Sequence, residues 1–271
     1  MKHKNRLIIS ISSDIGFELA NDWLKKGYKV FGTFRTESEK NNKLISIGAN
    51  LKKCNLSDKD AIMKSIDYFK EIDEWDVIVV ASGTQEPINK FLECNFDEWE
   101  NSFMINLFGP LRFLQGILKQ QNNSCETKII LFAGGGVNGV VENYSAYTTA
   151  KISLIKVCEL LADEIKNISI SILGPGWVDT KIHNETKDAA SNAGDNFEKT
   201  KKVIQDNSFY PMKKVIQCCN WIIGSDKNLV NGRNFSSVHD PWESENIKII
   251  SSDDNNFKLR RYGNDIFLKD E

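Results

Sequence analysis

Tyr147 and Lys151 stand four residues apart in Tyr147-Thr148-Thr149-Ala150-Lys151, early in a stretch with helical periodicity, so both side chains project from one face. A lysine cation beside a phenol favours the phenolate. It is expected to lower the tyrosine pKa and make Tyr147 an acid/base group near neutral pH. Such pairs also arise by chance on exposed helices, so the pair alone decides nothing. Upstream, the first apolar run enters Ser10-Ile11-Ser12-Ser13-Asp14-Ile15-Gly16 and then Phe17-Glu18-Leu19-Ala20. A tight turn between strand and helix gathers backbone N–H groups and the positive end of the helix dipole, a setting for a pyrophosphate. Only Gly16 survives of three expected glycines, and a plain strand-to-helix turn explains the segment as well. The second run, Lys29 to Arg35, ends in arginine. An acidic residue there would take a ribose 2′-OH and an arginine a 2′-phosphate, although an arginine facing solvent at a strand end is equally ordinary. Asn55, with Leu56 behind it, is placed after the third run to meet a base edge. Asp58 reads as a helix cap.

The elements that must position these residues follow from periodicity. Nearly continuous apolar runs at Leu7–Ser10, Val30–Phe34, Val77–Ala81, Lys128–Ala133 and Ile168–Leu173, with weaker ones at Asn50–Cys54 and Phe235–Val238, predict strands buried on both faces. Helical patterns at Gly16–Lys26, Asp58–Ile72, Asp97–Gln121 and Ser145–Lys166 alternate with them. The alternation predicts an α/β fold: a Rossmann-type, doubly wound, mostly parallel seven-stranded sheet with helices on both faces. No linker or internal repeat divides residues 1–271, which are expected to form one domain. A polar stretch within about 181–210 is expected either to cover a site or to be a solvated loop holding a helix. A charged extension over about 243–271 is expected to pack on the domain edge or on a partner subunit.

Composition narrows the function classes. Lys plus Arg number 35 and Asp plus Glu 37, a net charge of −2, which argues against a general nucleic-acid partner. No apolar run reaches the length of a membrane span, and the one behind the basic N-terminus stops at Ser10, too short for a secretory leader. A cytoplasmic location is expected, with no membrane partner. Cys54, Cys94, Cys125, Cys158, Cys218 and Cys219 lack framework spacing and read as reduced thiols. His3, His183 and His239 lack metal-ligand spacing, so no metal is expected.

From Arg6 to about Val238 the order of motifs resembles the short-chain dehydrogenase/reductase family, in its single-domain branch. The residues that carry the resemblance are the Ser12-Ser13-Asp14-Ile15-Gly16 turn, Val80-Ala81-Ser82-Gly83 in place of Asn-Asn-Ala-Gly, Asn106, Tyr147 with Lys151, and Pro175-Gly176-Trp177-Val178-Asp179-Thr180. The resemblance implies hydride transfer between a nicotinamide cofactor and a carbonyl or alcohol. Tyr147 would hand a proton to the carbonyl oxygen, and Lys151 would hold the nicotinamide ribose. Thr180 would contact the carboxamide, and Gly83 would let the backbone approach the cofactor. Ser10, Ser12, Ser13, Asp14, Ile15, Gly16, Arg35, Asn55, Leu56, Ala81, Ser82, Pro175, Gly176 and Val178 would complete the cofactor site. Arg35 favours NADP, with NAD as the other candidate. Pro110, four residues after Asn106, has no N–H, so the Asn106 carbonyl loses its helical partner. The family places a proton-relay water at that carbonyl. The long helices imply a homodimer or homotetramer.

Two departures stand out. The family's catalytic serine falls thirteen residues before the tyrosine, at Gly134, and neither Ala133 nor Gly135 supplies a hydroxyl. Losing such a donor costs on the order of a hundredfold in rate. Asn138, Ser145 or a water are the expected substitutes, and Gly134→Ser is expected to leave or raise turnover. Ser10 and Asp14 also replace the first two phosphate-turn glycines. Gly134, Gly135, Asn138 and Trp177 are expected to line a small-molecule pocket, which Gly134-Gly135-Gly136 would open for a bulky or polar substrate. Similarity to members in surface-polysaccharide gene sets suggests a nucleotide-linked sugar or related carbohydrate. The competing readings are a nucleotide-sugar epimerase or dehydratase that recycles its cofactor, and a cofactor-binding regulator that has lost catalysis with its serine.

Overall fold

Alternate residues of each apolar run pack against opposite helix layers, and that is why the runs become strands. A computed structural model describes residues 5–72, 74–121 and 126–263, so His3, Cys125 and the end of the charged extension lie outside the described residues. In chain order the elements are β1 (Asn5–Ile9), α1 (Asp14–Lys25), β2 (Lys29–Phe34), α2 (Glu39–Ser46), β3 (Asn50–Lys53), α3 (Lys59–Tyr68), β4 (Val77–Val80), α4 (Phe96–Phe103) and α5 (Gly109–Gln120). They continue with β5 (Thr127–Phe132), α6 (Ser145–Glu164), β6 (Ile168–Gly174), α7 (Ile182–Ala189), α8 (Asp195–Gln205), α9 (Met212–Gly224), α10 (Lys227–Val230) and β7 (Asn234–Ser236). The strands form one sheet in the order β3-β2-β1-β4-β5-β6-β7, with every pairing parallel.

Leu7 and Ile9 of β1 pack with Ile62, Ile66, Phe113, Leu114 and Leu154, while Ile8 between them packs with Phe17, Leu19, Trp23 and Val215. Helices α3, α5 and α6 therefore cover one face, and α1 and α9 the other. Each such fully buried side chain stabilises the fold by roughly 1.5–3 kcal/mol. A polar tie joins the outer pair, with Trp23 Nε1 donating to Asn220 Oδ1 at 3.0 Å. The chain leaves β1 towards β2 on one side and reaches β4 on the other, so the carboxyl ends of β1 and β4 flank a crevice.

Three local features set the site's geometry. Asp58 caps α3, its Oδ1 accepting from the N–H groups of Asp60 at 2.9 Å and Ala61 at 3.2 Å. The expected single helix from Asp97 to Gln121 is interrupted by a π turn at Met104–Phe108, where the Gly109 N–H reaches back to the Met104 carbonyl. Pro110 has no N–H for the Asn106 carbonyl, and the wider turn absorbs that gap. The third feature is the turn after β1. Ser13 Oγ accepts from the Gly16 N–H at 3.1 Å, and a Cβ on Gly16 would lie 2.9 Å from the Ser10 carbonyl oxygen, so glycine is required there. The 181–210 stretch is helical in α7 and α8. The extension packs on its own domain edge, with the Asn234 N–H donating to the Phe257 carbonyl at 2.7 Å. Among the described residues no helix is long and apolar enough to cross a membrane.

Ser10 holds φ at +63°, the left-handed region in which a Cβ is crowded. Its structural bonds run through the backbone: N–H to Thr33 Oγ1 at 3.1 Å, and carbonyl from the Ser13 N–H at 3.0 Å. Ser10→Gly keeps both bonds and is expected to raise stability by about 0.5–1 kcal/mol, or roughly 2 °C in Tm. A thermal melt that is unchanged or lower would contradict this.

Candidate active site

A cleft of about 1320 Å³ opens at the carboxyl ends of the strands. Along its floor it gathers Ser10, Ser12, Ser13, Asp14, Ile15, Arg35, Asn55, Leu56, Ala81, Ser82 and Gly83. Gly134, Gly135, Tyr147, Lys151, Pro175, Gly176, Trp177, Val178 and Thr180 line it as well. Three expected residues do not line it. Gly16 sits behind the phosphate turn, Asn106 is buried beneath the loop after β4, and Asn138 is exposed away from the cleft.

Lys151 is the anchor of the floor. Its side chain is 4% exposed, and its Nζ donates to the carbonyls of Ser82 at 3.2 Å and Phe132 at 3.1 Å, just beyond β4 and at the end of β5. Among the described residues no carboxylate pairs with it, and burial lowers its pKa to about 8. Tyr147, one turn earlier on α6, is half-buried, and Lys151 Nζ stands 5.9 Å from its ring centroid. The expected lowering of the tyrosine pKa is not found. Burial pushes the phenol above its ordinary value, and the charge of Glu185 pushes the same way. Desolvation dominates because the lysine lies below the ring and spends its donors on the two carbonyls.

The space expected at Gly134 is also filled. A Cβ built there would lie 2.6 Å from the Tyr147 hydroxyl and 2.7 Å from two ring carbons. Gly134 is thus the flat surface against which the tyrosine ring rests, not an opening for substrate. Of the expected substitutes for the absent serine, Asn138 is exposed, and Ser145 Oγ accepts from Trp99 Nε1 at 3.1 Å.

Asn106 works through its side chain. Its Nδ2 donates to the Thr84 carbonyl at 2.9 Å and to the Ser102 carbonyl at 3.0 Å, while its Oδ1 accepts from the Thr84 N–H at 3.1 Å. The loop after β4 is thereby pinned over the π turn. At the phosphate turn, Asp14 forms an ion pair with Lys40 and accepts from the Lys181 N–H at 2.7 Å, tying the segment after β6 across the cleft. Arg35 is exposed at the end of β2, and among the described residues no carboxylate pairs with it. Ser82 Oγ is buried without a partner. Backbone donors at the α1 N-terminus and a free buried hydroxyl suit a dinucleotide, and the arginine at the end of β2 stands unengaged beside them.

A second wall stands over the floor where the 181–210 stretch and Trp177 are expected, but its polar contacts are not foreshadowed in the sequence. Glu185 Oε2 accepts from the Gln85 N–H at 2.6 Å, and both its oxygens lie 3.3 Å from Thr84 Oγ1. Thr186 Oγ1 donates to Gln85 Oε1 at 2.8 Å and meets the Tyr144 hydroxyl at 2.9 Å. Trp177 stacks on His183 at 5.4 Å, and burial lowers the His183 pKa. Glu185, Thr186 and His183 come from α7, Thr84 and Gln85 from the loop after β4, Tyr144 from just before α6 and Trp177 from the loop after β6, and no spacing in the sequence links Glu185 to Thr84 and Gln85.

Lys151 gives this site a measurable pH signature. Between about pH 8 and 10.5 the folded chain releases the Lys151 proton before the unfolded chain does. The unfolded state then binds more protons, so stability rises with pH across that window. The penalty is full below pH 8 and is relieved above 10.5. Lys151→Met is expected to abolish a rise of about 3 kcal/mol, read as denaturant midpoints at pH 7.5 and pH 10. Identical pH slopes in both proteins would refute the buried cation.

The arrangement has known counterparts. A family model described as enoyl-(acyl carrier protein) reductase matches residues 10–237. The 3-oxoacyl-[acyl-carrier-protein] reductase FabG of Salmonella typhimurium is 27% identical over 192 residues, covering 68% of this chain and 78% of that protein. A short-chain dehydrogenase/reductase of Saccharomyces cerevisiae, YIR035C, superposes with a TM-score of 0.77 at 18% identity, over 88% of this chain and 97% of its own. A single-substitution variant of the actinorhodin polyketide ketoreductase, solved with NADPH, gives 0.75 at 19% identity, over 86% and 95%. With a parallel sheet in this order, Tyr147 and Lys151 on one helix at its carboxyl edge, and a family model spanning most of its length, the chain belongs to the short-chain dehydrogenase/reductase family of oxidoreductases.

Proposed function

We propose that the chain is an NADP-dependent reductase that converts a carbonyl to an alcohol, or runs the reverse oxidation, in a single domain whose α7–α8 segment walls the substrate. The observation that carries this reading is the Tyr147–Lys151 pair at the cleft floor, with Lys151 fixed by two strand-end carbonyls. The nicotinamide cofactor would supply the hydride. The phenol of Tyr147, kept protonated by burial, would donate its proton to the oxygen as negative charge develops there. Lys151 would hold the nicotinamide ribose and carry the charge beneath the tyrosine. Asn106 would keep the Thr84 loop in register, and Arg35 would receive the 2′-phosphate. The names of FabG and of the polyketide ketoreductase support a carbonyl as the reacting group. Stacked Phe96, Trp99 and Phe103 on α4, with Phe96 and Phe108 exposed, support self-association through the long helices.

Among carbohydrates, the wall of the cleft suits an uncharged or amine-bearing compound better than a nucleotide-linked sugar. A diphosphate would meet Glu185 and the rim carboxylates Glu86, Glu98 and Asp188.

Fluorescence titration is expected to show NADPH bound at least tenfold more tightly than NADH, with Arg35→Ala removing most of the difference. Equal affinities in the unaltered protein would overturn the arginine assignment. Gly134→Ser is expected to push the Tyr147 ring from its seat and lower turnover on the order of a hundredfold while the fold holds, a loss of the size seen when a catalytic donor is misplaced. This reverses the expectation drawn from spacing alone. A variant as active as the parent would show that the ring does not depend on Gly134.

A further inference from the structure

Glu185 is a carboxylate in an unusual position for an enzyme that must stabilise a developing oxyanion. It is half-buried on α7, lines the same cleft as Tyr147, and is held by the Gln85 N–H at 2.6 Å and by Thr84 Oγ1. Among the described residues no lysine, arginine or histidine forms an ion pair with it. Glu86 acts on it with the same sign, and Glu98 and Asp188, which line the same cleft, are acidic as well. Glu93 is partly offset by Lys90 at 3.7 Å. The cleft's exposed cations do not pair with it. Arg35 is at the end of β2, and Lys181, one turn before Glu185 at the start of α7, forms no ion pair with it among the described residues. A second, independent feature lies in the same cleft. Thr200 of α8 is 1% exposed, and its Oγ1 has no protein partner. The carboxylate without an ion-pair partner suits a ligand that carries positive charge, and the unengaged hydroxyl, which also lines the cleft, offers such a ligand a second polar contact.

We propose that Glu185 selects the substrate by charge, receiving a protonated amine carried close to the reacting carbonyl, so that the enzyme acts on amino ketones or the corresponding amino alcohols. The proposal rests on Tyr147 being the reacting tyrosine. Tyr147 packs in one apolar cluster with Ala189 of α7, the helix that carries Glu185, and feels the charge of that carboxylate, so an ammonium seated on Glu185 stands on the side of the cleft where the carbonyl oxygen meets the phenol. The paired charges cancel, and the negative field of Glu185 no longer opposes the oxyanion. An anionic substituent in the same place would meet Glu185 and the rim carboxylates, none of which is ion-paired among the described residues, in a partly desolvated cleft where such repulsion is strong.

The test uses the NADPH-loaded protein and three ketones of three carbons: aminoacetone, hydroxyacetone and pyruvate. Turnover is measured for each. Binding of 1-amino-2-propanol, 1,2-propanediol and lactate is measured in parallel through the fluorescence of bound NADPH. The amine is expected to lead the neutral compound by about tenfold in kcat/KM and in affinity, with the anion weaker by a further tenfold. Glu185→Gln keeps an acceptor for the Gln85 N–H and Thr84 Oγ1, so the wall should hold while the preference for the amine falls to within about threefold. A preference that survives Glu185→Gln, or a neutral compound that equals the amine in the unaltered protein, would overturn the proposal. Turnover without charge preference sinks this inference and spares the reductase. Charge-selective binding without turnover of any ketone does the reverse.

Discussion

The contact on which the site depends is the double hydrogen bond from Lys151 Nζ to the carbonyls of Ser82 and Phe132. Neighbouring parallel strands end with carbonyls pointing the same way, and α6 lays its lysine across the ends of β4 and β5. Among the described residues the ammonium has no carboxylate, so the two carbonyls satisfy it in a buried place. The contact fixes the rotation of α6 and therefore the height of Tyr147 above the sheet. The tyrosine ring needs a flat neighbour at that height, and Gly134, on the loop after β5, supplies one.

The rest of the cleft is arranged around this fixed point by polar ties between segments distant in sequence. Asn106 pins the loop after β4, Asp14 links the phosphate turn to the segment after β6, and Glu185 links α7 back to Thr84 and Gln85. Two of the three ties use a carboxylate that accepts from a backbone N–H. Such bonds hold loops at modest net stability, a fitting compromise for walls that must admit and release a ligand.

Much of this is legible in the sequence where the signal is local. Runs such as Leu7–Ser10 and Lys128–Ala133 must be buried on both faces, and Pro110 must break the hydrogen-bond ladder at Asn106; both constraints act within a few residues. Short polar helices, such as α2 and α7, carry too few apolar positions to show a period, and Glu185 therefore leaves no trace. Gly134 misleads because a missing side chain reads as space, whereas the contact that fills it comes from a ring thirteen positions away. The tyrosine pKa is shifted upward, not downward, because spacing reveals that Lys151 is near but not that the phenol is desolvated at the cleft floor. Proximity in sequence puts Asn138 in the pocket, yet its loop turns it to solvent.

The central claim is that the cleft passes a hydride from cofactor to carbonyl with net consumption of cofactor. The most direct measurement is a single turnover with NADPH carrying deuterium at the transferable position of the nicotinamide, followed by mass analysis of the products. The label is expected on the carbinol carbon of the product, in amounts equal to the NADP formed. Label that stays with the cofactor while substrate is changed, or that returns to it, would contradict the account and point to a recycled cofactor.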